Sequence, residues 1–215
     1  MTFAERKSLF DKIDLYVVTC EELSNGRTNF DVLDAVIKGG GKIIQLRDKK
    51  KSKADFLNMA KEFRKITSDA GILLIINDYI DIAIEIQADG VHLGQDDFPV
   101  AKAKSLAPNL LIGCSSHNLN EALDGQNAGA DYVNIGPIFP TGTKKHLKVV
   151  GTEMIKKIAP KLNVPFTVMG GIKLSNIDEV LSQGAKKIAV VTAVTMADDM
   201  TGAVIKLRNK INTID

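Results

Sequence analysis

Polar residues that suit phosphate binding follow several apolar runs of this sequence, and the first such group is Gln45–Lys49. Alternate residues of an extended segment share a face, so Gln45, Arg47 and Lys49 are predicted to point the same way. A guanidinium fork beside an ammonium group is well suited to a diphosphate. The pattern predicts an anion site at the end of this strand, whereas the lysines that follow are interpreted as solvent-exposed.

Two carboxylates follow neighbouring predicted strands, Asp78 after one and Asp97 after the next. Each precedes a predicted helix, so each has an alternative role as a helix N-cap, as does Asp96. Taken together, Asp78 and Asp97 are a candidate oxygen site for Mg²⁺, which typically uses one or two carboxylates plus substrate phosphates. The cap and metal interpretations both stay open at this point.

A second group of candidate anion-binding residues lies later in the chain. Thr141–Lys144 offers hydroxyls, a flexible backbone and a cation. Gly170-Gly171 and Val191-Thr192 end the seventh and eighth predicted strands, where many barrels bind phosphate through backbone N–H groups and a helix N-terminus. We expect a second phosphate site here, and a mobile functional loop between Pro137 and Val150.

The three histidines form no metal-binding constellation. His92 is interpreted as a hydrogen-bonded structural residue at a strand end. His117 either orients Ser115 or starts the next helix, and His146 is expected to be solvated. Ser115 is as compatible with a hydrogen-bond donor as with a nucleophile, so no catalytic triad is predicted.

These residues must be positioned by the connection from helix to strand, which has the same pattern at several places in the chain. A helix ends in small residues and glycine, one or two polar residues follow, and a β-branched run begins, as in Gly39–Ile44. Most runs are continuously apolar, as parallel strands covered on both faces should be. The eight predicted strands lie at 14–19, 42–46, 72–76, 90–93, 110–114, 131–135, 165–169 and 187–191.

Helical patterns fill the gaps, with apolar stripes in 30–37 and 56–66. Further helices are predicted at 79–87, 99–106, 118–128, 152–160, 175–183 and 198–211, with one more from Phe3 to Asp11. This pattern predicts a single (β/α)8 TIM barrel with an extra N-terminal helix. The alternative is an open doubly wound sheet. Such a sheet normally carries GxGxxG after its first strand, where this chain has Thr19–Glu22.

The composition is that of an ordinary globular protein, with 215 residues, 45% hydrophobic, 25% charged and a net charge of +2, and we expect one domain over 1–215. Basic and acidic residues are mixed, which argues against nucleic-acid binding.

The opening Met1–Lys7 lacks the apolar stretch of a signal peptide, and no run is long enough to span a bilayer, so a cytoplasmic protein without a membrane partner is expected. Cys20 and Cys114 lack CxxC spacing and are interpreted as reduced packing residues. Nothing in the sequence indicates an oligomeric state.

Seven short motifs, taken in order, resemble those of the thiamine-phosphate synthase family. They are QxRxK, ND, HxGQxD, GxSxH, GPxFPTxTK, GGI and VVTA. The resemblance extends from about residue 14 to residue 205. It implies a (β/α)8 barrel that joins 4-amino-2-methyl-5-hydroxymethylpyrimidine diphosphate to 4-methyl-5-(2-phosphoethyl)thiazole, releasing diphosphate and making thiamine phosphate.

The resemblance also implies two small-molecule substrates, Mg²⁺ as cofactor, and specific site residues. The implied pyrimidine-diphosphate site consists of Gln45, Leu46, Arg47, Asp48, Lys49, Asn77, Ser115 and Lys144. The implied thiazole-phosphate contacts are Thr141, Gly142, Thr143, Gly171, Val191 and Thr192. The implied Mg²⁺ ligands are Asp78 and Asp97, and the implied catalytic cations are Arg47, Lys49 and Lys144.

The implied chemistry needs no nucleophilic side chain. An electron-rich aminopyrimidine can stabilise a methylene cation after diphosphate departs, and the thiazole nitrogen then attacks that cation. The protein would neutralise the leaving group and hold the two rings close. Two alternatives remain. One is a thiazole tautomerase-like enzyme, which would not need a diphosphate and metal site, and the other is a non-catalytic regulatory protein that binds thiazole phosphate.

Overall fold

Eight parallel strands close into a barrel in the computed structural model, which describes residues 1–143 and 148–213. Each strand pairs with the next along the chain, and the last pairs with the first. The predicted (β/α)8 barrel is confirmed, and the open-sheet alternative is wrong because the sheet has no edge. The strands are β1 (Leu15–Val18), β2 (Ile43–Leu46), β3 (Leu73–Asn77), β4 (Gly90–Leu93), β5 (Leu111–Ser116), β6 (Tyr132–Ile135), β7 (Phe166–Met169) and β8 (Ile188–Val190).

Helices precede the barrel and surround it between consecutive strands. They are α1 (Phe3–Asp11), α2 (Asn29–Lys38), α3 (Lys53–Ala70), α4 (Ile80–Glu85), α5 (Val100–Leu106), α6 (Leu119–Asn127), α7 (Glu153–Ile158), α8 (Ile177–Leu181), α9 (Thr192–Thr195) and α10 (Met200–Asn212). Short 3₁₀ turns add Glu21–Leu23 and Ala159–Lys161. Within the described residues, no helix is both long enough and apolar enough to cross a bilayer.

Alternate strand residues divide the apolar side chains between two cores. In β2, Ile44 and Leu46 face outward and pack in the large core between the barrel and its helices. Ile43 faces inward and packs with Leu73 and Tyr132 inside the barrel. Both faces of each strand are therefore covered, which is why the strands read as continuous apolar runs rather than alternating ones.

Helix α1 closes the amino-terminal end of the barrel. It begins at a capping box formed by Thr2 and Glu5, which satisfies the first backbone N–H groups. Its Phe10 ring packs 4.4 Å from the Tyr132 ring, and Ile13 joins the same interior cluster. The extra N-terminal helix is thus confirmed, and the opposite end of the barrel is left for ligands.

The predicted element positions match the structure to within a few residues, with one helix missed. The helix predicted at 79–87 is α4 (Ile80–Glu85), and the strand predicted at 187–191 is β8. The missed element is α9, a single turn from Thr192 to Thr195. Its sequence Thr-Ala-Val-Thr is rich in β-branched residues, so it reads as a continuation of β8.

Candidate active site

A cavity opens at the carboxyl ends of the strands, at the end of the barrel opposite α1. It holds about 820 Å³, counting the part open to solvent, a size that suits small-molecule ligands. Barrel enzymes place their active sites at this end, on the loops that follow the strands. The predicted site residues that line it are Gln45, Arg47, Asn77, Ser115, Thr141, Thr143, Gly171, Val191 and Thr192.

The end of β2 brings Gln45 and Arg47 into the cavity, and the neighbouring strand β1 fixes both. Gln45 Nε2 donates a 2.8 Å hydrogen bond to the Tyr16 hydroxyl. The Arg47 N–H donates a 2.9 Å hydrogen bond to Thr19 Oγ1, and Arg47 Nη1 lies 3.4 Å from Cys20 Sγ. Arg47 is therefore fixed both at its backbone N–H and at its guanidinium group, as a preorganised electrostatic group requires.

Leu46 and Asp48, also predicted site residues, lie on the other side of the same segment, and their side chains do not line the cavity. Leu46 is 0% exposed and packs in the outer core. Asp48 accepts a 3.0 Å hydrogen bond from Asn29 Nδ2 and a 2.9 Å hydrogen bond from the Lys50 N–H. The alternation along an extended segment turns these two side chains away from the cavity. Asp48 instead fixes the loop that carries Lys49.

Lys49 does not line the cavity wall but pairs with Asp78 beside it. The Lys49 side chain is 46% exposed and the Asp78 side chain 15%. Asp78 follows β3 with a backbone φ of 63°, in the left-handed region that few residues other than Gly, Asn and Asp adopt. Strained backbone of this kind is concentrated at functional sites, where the surrounding structure holds it in place.

Asp78 and Asp97 form a pair of neighbouring carboxylates next to the cavity. Burial raises the pKa of Asp78 above its ordinary value; the hydrogen bond from Lys49 opposes this, and the nearby Asp97 carboxylate adds to it. Asp97 Oδ2 accepts a 2.6 Å hydrogen bond from the Gly94 N–H, which fixes the loop after β4. The pair concentrates negative charge at a half-buried position.

The helix-cap interpretation of these aspartates is wrong. The N-cap of α4 is Tyr79 and that of α5 is Pro99, and neither side chain makes a capping hydrogen bond. Asp78 lies one residue before its helix cap, and Asp96 and Asp97 lie further from theirs. The side chains of Asp78 and Asp97 are instead engaged with Lys49 and with each other.

The donor set of Asp78 and Asp97 fits a hard divalent cation. Carboxylate oxygens close together, with excess negative charge partly removed from water, are what Mg²⁺ requires of a protein. In the part of the chain that the structure describes, no group of three or more His, Cys, Asp and Glu side chains could hold a metal. Two protein ligands, completed by water and phosphate oxygens, match the usual Mg²⁺ arrangement.

The other side of the cavity is built from the loops after β6, β7 and β8. Thr141 and Thr143 line it, and the Thr143 N–H donates a 3.3 Å hydrogen bond to Thr141 Oγ1. Gly171 has a φ of 65°, and a Cβ there would lie 2.5 Å from the Pro140 carbonyl oxygen. Glycine is therefore required where the loops after β6 and β7 meet. Helix α9 starts at Thr192, and the first N–H groups of a helix have no partner within it.

One predicted residue of this side, Gly142, does not line the cavity. Gly142 is exposed, with no atom within 4 Å of where its Cβ would be, and it does not line the cavity wall. Lys144 lies outside the described residues, and so does His146.

His92 and Asn134 line the cavity although neither is among the predicted site residues. His92 Nε2 lies 3.0 Å from Ser115 Oγ, so His92 orients Ser115. His117 does not serve that purpose, because its Nδ1 pairs with Glu121 at 2.7 Å near the start of α6. A single asparagine within the apolar strand Tyr-Val-Asn-Ile was the available signal for Asn134, since polar residues inside buried strands need a partner or a ligand.

Both cysteines are free and buried, as predicted. Burial raises the pKa of the Cys114 thiol to about 12, so this thiol stays protonated at neutral pH. Cys20 differs in position, because its sulfur contacts the Arg47 guanidinium at the cavity edge. Neither residue needs a catalytic role to explain its burial.

The closed parallel barrel defines the class as a (β/α)8 barrel, and its cavity lies at the carboxyl ends of the strands, where barrel enzymes have their active sites. Sequence comparison identifies the family within this class. The chain matches the family described as thiamine monophosphate synthase over residues 15–194, and it belongs to that family.

Individual relatives are similar in sequence to this chain over nearly its whole length. A thiamine-phosphate synthase of Chloroflexus aurantiacus is 45% identical over 195 residues, covering 90% of this chain and 90% of its own length. A thiamine-phosphate synthase of Pyrococcus horikoshii is 40% identical over 204 residues, covering 95% of this chain and 97% of its own. The solved thiamine phosphate pyrophosphorylase of Pyrococcus furiosus superposes with a TM-score of 0.88 at 36% identity, covering 95% of this chain and 98% of its own.

Proposed function

We propose that this protein is a thiamine-phosphate synthase, a transferase that joins a pyrimidine diphosphate to a thiazole phosphate and releases diphosphate. The observation that carries the proposal is one cavity with candidate anion-binding residues on opposite sides. Gln45 in β2 and Arg47 just after it lie on one side, whereas Thr141 and Thr143 follow β6, four strands away in the closed barrel of eight. Two phosphorylated substrates can therefore bind with their rings meeting between these sides.

The proposed reaction breaks the bond between the pyrimidine methylene carbon and the diphosphate oxygen. The electron pair leaves with the diphosphate, and the aminopyrimidine ring stabilises the resulting methylene cation. The thiazole nitrogen then supplies an electron pair to form the new carbon–nitrogen bond, which makes thiamine phosphate. No proton has to be removed from either reacting atom, so a cavity without a strong base is sufficient.

The protein's part in this scheme is electrostatic. Arg47, anchored by Thr19 and Cys20, would meet the developing charge of the departing diphosphate without first having to be reorganised. Lys49 and Lys144 are proposed to add positive charge, and Asn77 and Ser115 to donate hydrogen bonds to the same substrate. The Thr141–Thr143 loop, Gly171 and Thr192 would hold the thiazole phosphate, whose phosphate does not react.

Asp78 and Asp97 are proposed to hold Mg²⁺, which when bound would neutralise charge on the diphosphate. Their charge is fitted to this role because the two carboxylates lie together, with the Lys49 ammonium group beside Asp78. The same feature separates the proposal from a thiazole tautomerase, which would need neither a diphosphate site nor a metal.

The decisive experiment is turnover of the two purified precursors. Purified protein is mixed with hydroxymethylpyrimidine diphosphate, thiazole phosphate and Mg²⁺, and diphosphate release and thiamine phosphate are measured together. Equal amounts of both products are expected. Binding of thiazole phosphate without turnover of the pair would contradict the proposal and favour a regulatory protein. Isomerisation of the thiazole without use of the pyrimidine diphosphate would instead favour a tautomerase.

A further inference from the structure

A continuous chain of hydrogen bonds crosses the interior of the barrel beneath the cavity. Gln45 Nε2 donates to the Tyr16 hydroxyl at 2.8 Å, and the Tyr16 and Tyr132 hydroxyls are 3.1 Å apart. The Tyr132 hydroxyl lies 3.1 Å from His92 Nδ1, and His92 Nε2 lies 3.0 Å from Ser115 Oγ. The chain therefore links two cavity residues, Gln45 and Ser115, through groups that lie deeper in the barrel.

The hydrogen bonds of this chain are consistent with one direction. Tyr16 accepts from Gln45, so donating its own proton to Tyr132 is the arrangement in which every hydroxyl proton of the chain has an acceptor or faces the cavity. Tyr132 then donates to His92 Nδ1, so His92 carries its proton on Nε2 and donates to Ser115. Ser115 is left with its own proton to donate into the cavity.

Both phenols stay neutral in this environment. Burial raises the pKa of Tyr16, and its hydrogen bonds with Tyr132 and Gln45 only partly offset that effect. Burial also raises the pKa of Tyr132, with the neighbouring Tyr16 adding to it. Each tyrosine therefore stays protonated at neutral pH and remains a donor as well as an acceptor.

Packing holds the Tyr132 ring in the one position that completes the chain. The residue paired with Tyr132 on β5 is Gly113, and a Cβ at Gly113 would overlap the Tyr132 ring. The Phe10 ring of α1 covers the ring from below at 4.4 Å. Tyr132 is 0% exposed. The absence of a side chain at Gly113 thus makes room for the Tyr132 ring, whose hydroxyl lies within hydrogen-bond distance of His92.

We propose that Tyr132 is a positioning residue for the reaction, which acts by holding His92 in the tautomer protonated at Nε2 and so presenting the Ser115 hydroxyl as a donor to the pyrimidine diphosphate. This inference rests on the proposed function for its substrate, but the tautomer itself does not depend on it. A purely structural tyrosine would need only its ring, whereas this role needs the hydroxyl.

The tautomer of His92 can be measured directly in the full-length protein. ¹⁵N-histidine labelling and long-range ¹H–¹⁵N correlation at about pH 8 distinguish protonated from unprotonated ring nitrogens. The chain has three histidines, and loss of one set of signals in His92→Gln assigns the relevant one. Wild-type protein is expected to show His92 protonated at Nε2. Tyr132→Phe, which keeps the ring and removes the hydroxyl, should lose that single tautomer.

Two further variants separate positioning from packing. Tyr16→Phe removes the donor that directs the Tyr132 proton but keeps the Tyr132 hydroxyl beside His92, so it should weaken the preference for the Nε2 tautomer less than Tyr132→Phe does. Phe10→Leu weakens packing on the same Tyr132 ring without touching a hydrogen bond, so it should lower the melting temperature and keep the tautomer. Loss of the tautomer in Phe10→Leu as well would assign the effect to packing and overturn the proposal.

Kinetics provide the second measurement. Tyr132→Phe should lower kcat/KM for the pyrimidine diphosphate roughly tenfold, the scale of one lost hydrogen bond, with the KM for thiazole phosphate changed less than about twofold. Wild-type His92 protonated at Nδ1, or unchanged spectra and kinetics in Tyr132→Phe, would overturn the proposal. If the wild-type protein shows the expected tautomer but no synthase turnover, the proposed function fails, and with it the role of Ser115.

Discussion

The Lys49 ammonium group is paired with the Asp78 carboxylate, which joins the loop after β2 to the end of β3. Asp78 is also a proposed Mg²⁺ ligand, so one cation of the proposed diphosphate site already neutralises part of the proposed metal site. Lys49 therefore has two proposed partners, the Asp78 carboxylate in the absence of ligand and the diphosphate in its presence. The side chain is exposed enough to move between them.

Lys49→Met should separate these two roles of the ammonium group. Turnover at saturating Mg²⁺ should fall by about 10²-fold, because a positive charge that would stabilise the leaving group is lost. Mg²⁺ should bind more tightly to the variant in the absence of substrate, because a competing cation has been removed from the carboxylates. Titration calorimetry with Mg²⁺ measures the second effect. Weaker Mg²⁺ binding by Lys49→Met would show that Asp78 does not hold the metal.

Arg47→Ala should lower turnover by about 10²-fold or more without unfolding the protein, because its guanidinium faces the cavity rather than the core. Lys50→Ala is a matched control on the same loop. Lys50 pairs at the surface with Glu22, with 73% of its side chain exposed, and its loss should leave turnover nearly unchanged. Steady-state kinetics of both variants test this. An equal loss of turnover in the two variants would show that the net charge of the loop matters and that Arg47 has no specific role.

The barrel was predictable from sequence because its signals are local. Continuous apolar runs recur after glycine joints, and each run is covered on both faces in the structure. The one missed helix, α9, is a single turn whose β-branched residues favour strand. Its start at Thr192 depends on how the chain leaves the closed barrel, which a local pattern does not encode.

The site was predictable only in part, because side-chain direction and long-range contacts matter there. The family resemblance covers Gln45–Lys49 as one block, whereas the pleat sends Leu46 and Asp48 away from the cavity. The bond between Tyr16 and Tyr132 joins residues 116 positions apart, and no local pattern indicates it. Closure of the barrel is what brings β1 and β6 side chains together inside it.

Thr143→Val should mainly raise the KM for thiazole phosphate, because the lost hydroxyl would contact a phosphate that does not react. Uniform binding lost from a remote group raises KM and leaves kcat almost unchanged. Ser116→Ala is unsuitable as a control since that hydroxyl is buried against the Asn134 carbonyl, so Thr152→Val outside the cavity serves instead. If only the KM for the pyrimidine diphosphate rises in Thr143→Val, the two anion sites are assigned the wrong way round.

Asp14, just before β1, forms a salt bridge with Arg208 of α10. This pair should make the free energy of unfolding depend on pH in the acid range. Burial raises the pKa of Asp14, but hydrogen bonds from Arg208, Asn212 and the Leu15 N–H outweigh it, so the pKa lies below its ordinary value of 3.8. The stabilisation is complete above that ordinary value and is lost as pH falls through the lowered folded value.

Arg208→Met should therefore lower the free energy of unfolding by about 2 kcal/mol at neutral pH, with the difference shrinking as Asp14 becomes protonated. Urea denaturation at about pH 7 and at about pH 3 measures it. Lys38→Met, in the exposed pair with Asp34, is the matched control and should cost less than about 0.5 kcal/mol. A destabilisation by Arg208→Met that does not vary with pH would assign its role to packing.

Asp78→Asn and Asp97→Asn test the proposed metal site. Because neither residue caps a helix, the fold should survive both changes, and asparagine tolerates the left-handed backbone at position 78. Each variant is expected to lose most turnover, with higher Mg²⁺ restoring part of it, because one of two carboxylate ligands has become neutral. Chelation should abolish turnover of the wild-type protein, and added Mg²⁺ should restore it.

Asp96→Asn is the control for these two variants, because it removes a neighbouring exposed carboxylate that is not a proposed Mg²⁺ ligand. Its Mg²⁺ dependence should match that of the wild-type protein. Circular dichroism establishes that all three variants are folded before the kinetics are compared. Full wild-type turnover in excess chelator, with the protein free of metal by elemental analysis, would remove Mg²⁺ from the mechanism. Arg47, Lys49 and Lys144 would then have to balance the charge of the leaving diphosphate without a metal.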